Sequence, residues 1–459
     1  MATETKHTRS SWSGKWAFIL AAAASAVGLG NMWRFPYLAA KYGGGTFLLT
    51  YVVLVFTFGI SLMILEIAIG RKTGQSAINA FKQIAKKYAF IGVFVSAIPF
   101  IITPYYCIIG GWVMKYAASY VTGGALDLAN PDFFGGFITS PVESFIWMAL
   151  FMVVVFVVVA LGVKGGIEKA NMFMMPALIV MAVVLAIYTM TMPGAIDGVL
   201  YYITPDFSKF SPEMVIGAMG QMFYSLSLAM GIMITYGSYL KKKEDIVHSA
   251  CSIGCFDLGV SFLAGLMIVP ASFIALGGAD AVSAKAGPSL MFGTLPNLFE
   301  SFGPAAGIVG SVFFILVLFA ALTSAISLTE TCTSIIHDAT KWTRKKSFLV
   351  TISIIAVAGV FINMGYNLLS FLEPLGPGTS LLDLADFLSN TVMMPIAALM
   401  TCIFVGWIIK PKAVIDEVRE SSRFRAARIW TFMIKFAAPV FVVVILVAYV
   451  AAQFGLFVM

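Results

Sequence analysis

Charged residues are scarce in this sequence. Lys, Arg, Asp and Glu make up 11% of the 459 residues, whereas 60% are hydrophobic. A soluble domain carries roughly a quarter charged residues, so too few are present here to cover a surface that faces water. The sequence therefore predicts one integral membrane domain over residues 1–459, in contact with the lipid bilayer. The net charge of +7 follows from where the charges lie and does not indicate a nucleic-acid partner.

Cysteine and histidine are also scarce, which argues against several kinds of site. The five cysteines lie apart in apolar segments, with no CxxC pair and no histidine partner, so neither a zinc site nor a disulfide framework is expected. The three histidines fall at or near the predicted cytoplasmic ends of helices, and no HExxH or GxSxG motif occurs. We therefore predict no enzymatic activity and no organic cofactor.

Eleven apolar segments are long enough for a membrane helix, which needs about 20 residues. The predicted spans, numbered 1 to 11, cover residues 16–40, 45–69, 90–121, 143–163, 168–190, 213–239, 246–277, 304–336, 348–368, 381–409 and 429–457. Most of the 29 Lys and Arg residues fall in loops on the side of the N-terminus. The positive-inside rule therefore places the N-terminus in the cytoplasm and the C-terminus outside. No Asn-x-Ser/Thr acceptor occurs, which suits the inner membrane of a bacterium.

Spans 1 and 6 contain residues that a continuous helix disfavours. Near the centre, span 1 has Gly28, Gly30, Asn31, Arg34 and Pro36, and span 6 has Gly220, Gln221, Ser225, Ser227 and Gly231. Glycine lacks a Cβ and proline lacks an amide hydrogen, so both spans are predicted to break. Unwound backbone in a bilayer needs protein or a water-filled cavity around it, which indicates a binding site. For span 6 alone, close helix packing through small residues is an equal alternative.

Breaks in spans 1 and 6 together indicate a repeated architecture. The predicted fold class is all-α, with eleven transmembrane helices. Two inverted five-helix repeats would cover residues 1–190 and 213–409, and one extra helix would cover 429–457. Transporters built in this way hold their binding site near the membrane midplane, between the broken helices.

Four ionisable residues inside the predicted spans stand out, because such a residue costs at least about 2.5 kcal/mol at the centre of a helix. They are Arg34, Glu66, Asp257 and Asp386. Glu66 is expected to support unwound backbone. Asp257 has no basic neighbour within its own span, so we expect it to face a cation.

Several motifs occur in order along the chain: AVGLGNMWRFPY in span 1, EIAIGR in span 2, GQMFYSLSLAMG in span 6, ALTSAIS in span 8 and DLADF in span 10. On these motifs the chain resembles the neurotransmitter:sodium symporters with the leucine-transporter fold, over nearly its whole length. It lacks a twelfth span common in that family, as some bacterial members do. The resemblance implies a sodium-coupled symporter that works by alternating access.

The resemblance implies two sodium sites. The ligands of the first ion would be the Ala26 carbonyl and the side chains of Asn31, Ser225 and Asp257. The ligands of the second would be the carbonyls of Ala24, Val27 and Ala320 and the hydroxyls of Thr323 and Ser324. Sodium is a hard cation that prefers oxygen, which such groups supply. By themselves, a threonine and a serine in a helix usually just bond to their own helix carbonyls.

The substrate would lie against the break in span 1. Gly28 stands where the monoamine carriers of the family have an aspartate, so the substrate should bring its own carboxylate, which implies an amino acid. The implied pocket consists of Ala26, Gly28, Gly30, Ile102, Tyr106, Tyr224, Ser225, Ser227, Met230, Ser324 and Leu328. Methionine adapts to irregular shapes, so large aliphatic or aromatic side chains should fit, and Tyr106 would donate its hydroxyl to the carboxylate. For any single one of these residues, bundle packing is the alternative.

Two gates are also implied. Arg34 and Asp386 would form an outer ion pair over a lid of Tyr106 and Tyr224. An inner ion pair would join Arg9 to Asp338, beside Trp12, Ser238 and Tyr239. A charge that leaves water needs a partner, and a pair that can separate allows the gate to open.

Asp257 departs from the family, which generally has asparagine at this position. Chloride-dependent members place chloride among the positions of Tyr51, Gln221, Ser225 and Ser261. A fixed carboxylate so close should replace the anion and repel it. We therefore expect chloride-independent transport, and whether Asp257 also carries a proton back stays open.

Other functions remain compatible with the residues alone. A channel would also have polar groups at the midplane, but the broken helices and gates suit occlusion better. A sodium-dependent sensor would have the same site, and a carrier for another carboxylate-bearing solute would differ only in its pocket. The sequence leaves open the preferred amino acid, the number of sodium ions and whether the protein is a monomer or a dimer.

Overall fold

The computed structural model describes residues 11–276, 290–300 and 302–453. Within these ranges the chain is almost entirely helical, and the sole β-type pairing is an isolated bridge between Gly44 and Pro205. Nine unbroken helices there are long and apolar enough to cross a membrane: Gly45–Thr73, Lys86–Val121, Pro141–Ala160, Val163–Met190, Ile246–Ile274, Gly303–Thr340, Arg344–Tyr366, Leu381–Ile408 and Ala427–Gln453. They correspond to predicted spans 2 to 5 and 7 to 11, and the all-α membrane class is confirmed.

Span 1 is broken where its glycines lie. The helices Lys15–Ala26 and Gly30–Lys41 meet at an angle of 55°. Val27 leaves helical geometry, with φ −75° and ψ 98°, and Gly30–Arg34 forms a π-helical turn. Pro36 lies in the first turn of the α-helix Phe35–Lys41, where a missing amide hydrogen is tolerated.

Span 6 is broken more completely. The helix Pro212–Ser225 ends before a non-helical segment at 226–231, and the short helix Ile232–Gly237 follows. Ser227 and Ala229 have φ of +52° and +61°, a conformation that residues other than glycine rarely adopt and that clusters at functional sites. Neither helix alone reaches the length of a membrane span. The count of eleven spans and the two inverted repeats stay predictions.

The spans divide into an inner group and a membrane-facing group. Spans 2 and 3 are 72% buried over their most apolar stretches, whereas spans 4, 9 and 11 are only 28–33% buried. Span 8 packs along span 3, and the first half of span 1 packs against spans 5, 7 and 8. Four fully buried alanines at positions 21 to 24 let span 1 approach its neighbours closely.

A buried ion pair holds the predicted cytoplasmic end of the bundle together. Arg71, at the end of span 2, donates from Nε to Glu417 Oε1 at 2.8 Å. Lys242, in the loop after span 6, contacts Glu417 Oε2 at 2.7 Å. Glu417 belongs to the surface helix Lys412–Arg419, so this helix ties two distant parts of the bundle to each other.

We expect Glu417→Ala to destabilise the protein strongly, because it leaves the fully buried Arg71 without its counter-ion. Removing one partner of a buried ion pair typically costs about 3–5 kcal/mol. The matched control is Glu420→Ala, which removes a half-exposed carboxylate that contacts the same Lys242 at 3.1 Å and should cost about 0–1 kcal/mol. Thermal unfolding in detergent, followed by the loss of monodisperse protein, measures both. Equal melting temperatures for the two variants would contradict the assignment.

Candidate functional site

Side chains from three broken or neighbouring spans meet around Asn31. Its Nδ2 lies 2.8 Å from Ser225 Oγ, from Asp257 Oδ1 and from Ser261 Oγ. Its Oδ1 accepts a hydrogen bond of 2.9 Å from the Gly28 amide, which belongs to the break in span 1. The predicted side-chain ligands of the first sodium ion are therefore in mutual contact, and Ala26 lies in the wall of the adjoining cavity.

Asp257 is fully buried and all of its hydrogen-bond partners are neutral. Ser225 Oγ donates to Oδ1 at 2.5 Å and the Tyr51 hydroxyl donates to Oδ2 at 3.0 Å. No Lys or Arg of the described chain forms a salt bridge with it. A buried carboxylate without a counter-ion is unfavourable, so a cation bound beside Asp257 would stabilise this arrangement.

The predicted chloride-related positions divide into two groups. Tyr51 and Ser225 contact Asp257 directly, and Ser261 contacts Asn31. Gln221 lies one step away: its amide donates to the Gly30 carbonyl at 3.1 Å, and its oxygen accepts from Arg34.

The residues proposed for the second sodium ion lie where spans 1 and 8 pack together. Thr323 Oγ1 donates to the carbonyls of Phe319 and Ala320, both at 3.0 Å. Ser324 Oγ reaches across to the Ser25 carbonyl at 3.1 Å. Ala24 and Val27 are fully buried beside them. Thr323 thus makes the ordinary bond to its own helix, whereas Ser324 links the two spans.

A small central cavity lies between the two breaks. Its wall contains every residue predicted for the substrate pocket, together with Asn31, which was predicted for the first sodium ion, and three residues that were not predicted. The lining is Ser25, Ala26, Gly28, Leu29, Gly30, Asn31, Ile102, Tyr106, Tyr224, Ser225, Ser227, Met230, Ile232, Ser324 and Leu328. The cavity volume of ≈ 30 Å³ holds one or two water molecules. Its walls must move apart before an amino acid can enter.

A side chain at position 28 would require its neighbours to move. A Cβ there would lie 2.8 Å from Ser324 Oγ and 3.0 Å from the Tyr106 hydroxyl. That hydroxyl also accepts a hydrogen bond of 3.3 Å from the Leu29 amide. Tyr106 and Ser324 are therefore in close contact with the unwound backbone of span 1.

The break in span 6 is held by its neighbours. The Ala229 amide donates to Glu66 Oε1 at 2.7 Å, so Glu66 supports unwound backbone as expected. Ser227 Oγ donates to the Ser25 carbonyl at 2.9 Å. Ser25, which the sequence analysis missed, thus receives bonds from spans 6 and 8 at once. A lone serine among alanines carries no signal that would have singled it out.

The predicted outer ion pair is not formed in this structure. Arg34 donates to Gln221 Oε1 at 3.3 Å and to the Tyr449 hydroxyl at 3.1 Å. The partners of Asp386 are the Tyr105 hydroxyl at 3.2 Å and Asn390 Nδ2 at 2.5 Å.

Both gate charges of the outer side, Arg34 and Asp386, line a second cavity of ≈ 300 Å³, and Tyr224 lies in the walls of both cavities. Tyr106 belongs only to the central one. Each charge is satisfied on its own wall, and Tyr224 is the residue that separates the two spaces.

The inner gate is only partly described. Arg9 lies outside the described residues, and Asp338 Oδ2 accepts a hydrogen bond of 2.7 Å from the Ser76 amide. Trp12 is 1% exposed and bonds to the carbonyls of Tyr236 and Tyr239 at 3.0 and 3.3 Å. Ser238, directly after the helix Ile232–Gly237, donates to the Thr235 carbonyl at 2.5 Å. Trp12 is therefore packed against span 6 on the predicted inner side.

Glu330 of span 8 was missed by the sequence analysis. Arg344 binds it through two bonds, of 2.9 and 2.6 Å, and the Tyr239 hydroxyl donates to it at 2.7 Å. The sequence does contain a signal for Glu330, since an acidic residue inside the apolar segment 304–336 is as unusual as Asp257 in span 7. The network joins spans 6, 8 and 9 on the inner side.

Two broken helices around a buried cavity, with oxygen-rich clusters beside it, define a membrane transporter of the secondary-carrier class. The profile of the Sodium:neurotransmitter symporter family matches residues 9–127 and 138–456. The chain belongs to this family, and it is a sodium-dependent transporter and not an enzyme.

Similar proteins agree with this assignment. An "Uncharacterized sodium-dependent transporter" of Haemophilus influenzae is 32% identical, over 98% of this chain and 99% of that protein. A sodium-dependent transporter of Bacillus subtilis is 34% identical, over 95% and 96%. The crystal structure of MhsT in complex with L-phenylalanine has 35% identity, a TM-score of 0.85 and coverage of 96% and 99%.

We expect Gly28→Ala to abolish binding of amino acids while the protein still folds, because the new methyl group collides with Ser324 and Tyr106 at the break. Equilibrium binding of a radiolabelled amino acid in detergent, in the presence of sodium, measures the loss. Gly259→Ala in span 7 is the matched control, since a Cβ at position 259 meets nothing within 4 Å. Unchanged binding by the Gly28 variant would remove this backbone from the substrate site.

Proposed function

We propose that the protein imports hydrophobic or aromatic L-amino acids together with sodium, by alternating access. The observation that carries the proposal is the contact between the Asn31 cluster and the central cavity. Asn31 both joins Asp257 and accepts from the Gly28 amide, so a cation there would lie next to the carboxylate of a bound amino acid. Cation and substrate would then each favour binding of the other.

The walls of the cavity support the substrate class. Polar groups concentrate at the two breaks, while Ile102, Met230 and Leu328 supply the apolar side. Gly28 provides no charged side chain. If the substrate were an amine without a carboxylate, the bound sodium ion would therefore have no carboxylate beside it at this position. The structural likeness to MhsT, whose complex contains L-phenylalanine, favours large apolar side chains.

Two sodium ions would supply enough free energy for accumulation. Each ion gains about 2.3 kcal/mol from a potential of 100 mV and about 1.4 kcal/mol from a tenfold gradient. The pair would therefore supply roughly 7 kcal/mol. The second ion is assigned to Ala24, Val27, Ala320, Thr323 and Ser324, where binding would turn the Thr323 hydroxyl away from its own helix.

The arrangement of the two gates supports an outward-facing form of the cycle. The outer charges Arg34 and Asp386 stand apart around a cavity, whereas Trp12 and the Glu330–Arg344 pair close the inner side.

We assign the N-terminus to the cytoplasm on the distribution of basic residues. The division into repeats 1–190 and 213–409 follows from the two breaks.

Uptake into proteoliposomes with an imposed sodium gradient tests the proposal. Each amino acid is supplied as a radiolabelled substrate, with other small carboxylates as competitors. Saturable, sodium-driven uptake of apolar amino acids is the expected result. Binding without any uptake would indicate a sensor, and uptake inhibited only by carboxylates that lack an amino group would assign the carrier to another solute.

Asn31→Ala should abolish sodium-driven uptake, because it removes a side chain that joins Ser225, Asp257 and the Gly28 amide. The measurement is initial uptake as a function of sodium concentration. Asn297→Ala, at an exposed asparagine, is the control and should behave like the parent protein. A normal sodium response in the Asn31 variant would exclude this residue as a ligand.

Replacement of chloride by gluconate should leave uptake unchanged, because the Asp257 carboxylate already supplies the negative charge. The variant Asp257→Asn keeps the shape and loses the charge, so its remaining uptake should increase with chloride concentration. Initial rates in chloride and in gluconate measure both effects. Parent uptake that collapses in gluconate would show that the carboxylate does not replace the anion.

A further inference from the structure

The outer cavity keeps two opposite charges apart on different walls. On one wall, Arg34 has its partners Gln221 and Tyr449. On the other, Asp386 has its partners Tyr105 and Asn390. Closing this gate with an ion pair therefore requires Arg34 to leave its present partners.

Tyr449 belongs to span 11, which lies outside the two repeats. Its hydroxyl is 3.1 Å from Arg34 Nη2, and it lines the same cavity as Asp386. The backbone of span 6 leaves a space for it, since a Cβ at Gly220 would overlap the Tyr449 hydroxyl. Span 11 packs on span 10 and on the helix Pro212–Ser225, so the tyrosine is held from both sides.

We propose that Tyr449 is a positioning residue of the outer gate, which holds Arg34 in the open arrangement and releases it when Arg34 pairs with Asp386. The inference rests on the proposed alternating-access function. A neutral hydroxyl is a weaker partner for a guanidinium than a carboxylate is. Together with Gln221 it nevertheless satisfies the guanidinium, so the open and closed gates remain close in free energy and the gate can move both ways.

The direct test is Tyr449→Phe, which keeps the ring and removes the hydroxyl. Arg34 then loses an open-state partner, and the equilibrium moves toward the closed gate. The readout is the labelling of a reporter cysteine, Thr391→Cys in the cavity wall, by a membrane-impermeant thiol reagent, in sodium without amino acid. Labelling should slow by about fivefold, because the loss of one hydrogen bond to a charged group shifts an evenly balanced equilibrium about tenfold and lowers the open fraction from about one half to about one tenth. Labelling of the five native cysteines is subtracted with the chain that lacks the reporter.

Two further variants separate the hydroxyl from general effects on the cavity. Tyr366→Phe removes the hydroxyl of another tyrosine that lines the same cavity and makes no hydrogen bond to Arg34, and should leave the labelling rate unchanged. Gly220→Ala displaces the Tyr449 hydroxyl without changing the tyrosine, and should slow labelling as Tyr449→Phe does. It also keeps the proposal testable if Tyr449→Phe does not fold.

The Asp386→Asn background distinguishes a gate role from a packing role. Without the Asp386 carboxylate, the ion pair that closes the gate cannot form, so Tyr449→Phe should no longer slow labelling. Equal slowing with and without Asp386 would overturn the proposal, as would parent-like labelling in the folded Tyr449 and Gly220 variants. The assay needs neither uptake nor amino acid, so its result is independent of whether the proposed substrate is correct.

Discussion

A carboxylate buried in the membrane with neutral partners is the interaction on which the site depends. Asp257 gathers Tyr51, Ser225 and Asn31 from spans 2, 6 and 1, and Asn31 extends the contact to the Gly28 amide. Since an uncompensated buried charge is unfavourable, the folded bundle contains a place that a cation would stabilise. A place that a cation would stabilise agrees with the membership of the chain in a family of sodium-dependent transporters.

The two broken helices obey the same constraint for their backbones. Peptide groups in a bilayer must be satisfied within the protein, and neighbouring spans supply the missing bonds. Glu66 accepts a hydrogen bond from the Ala229 amide, and the hydroxyls of Ser227 and Ser324 both donate to the Ser25 carbonyl. Ser25, Ser227 and Ser324, which hold the breaks, therefore also lie in the wall of the central cavity.

The two sides of the bundle use charge differently. On the predicted inner side Glu330 and Arg344 form a bidentate pair, and Tyr239 bonds to the same carboxylate, so three spans are joined. On the outer side Arg34 and Asp386 bond to neutral groups across an open cavity. Neutral partners stabilise a charge less strongly than an opposite charge does. The asymmetry is consistent with the proposed alternating access, in which the two sides of a carrier open in turn.

The sequence by itself determined the membrane class and the two breaks, because composition, glycine and proline are local properties. The order of its motifs supplied the family resemblance from which the pocket residues were predicted. It also indicated Asp257 and Glu66, since a charge within an apolar run is visible without coordinates. Only the tertiary structure decided that Arg34 bonds to Tyr449 and not to Asp386, that Ser25 joins three spans, and that Glu330 pairs with Arg344. Those contacts depend on distances between helices far apart in the chain. Such distances are set by the packing of the whole bundle and cannot be read from any single segment.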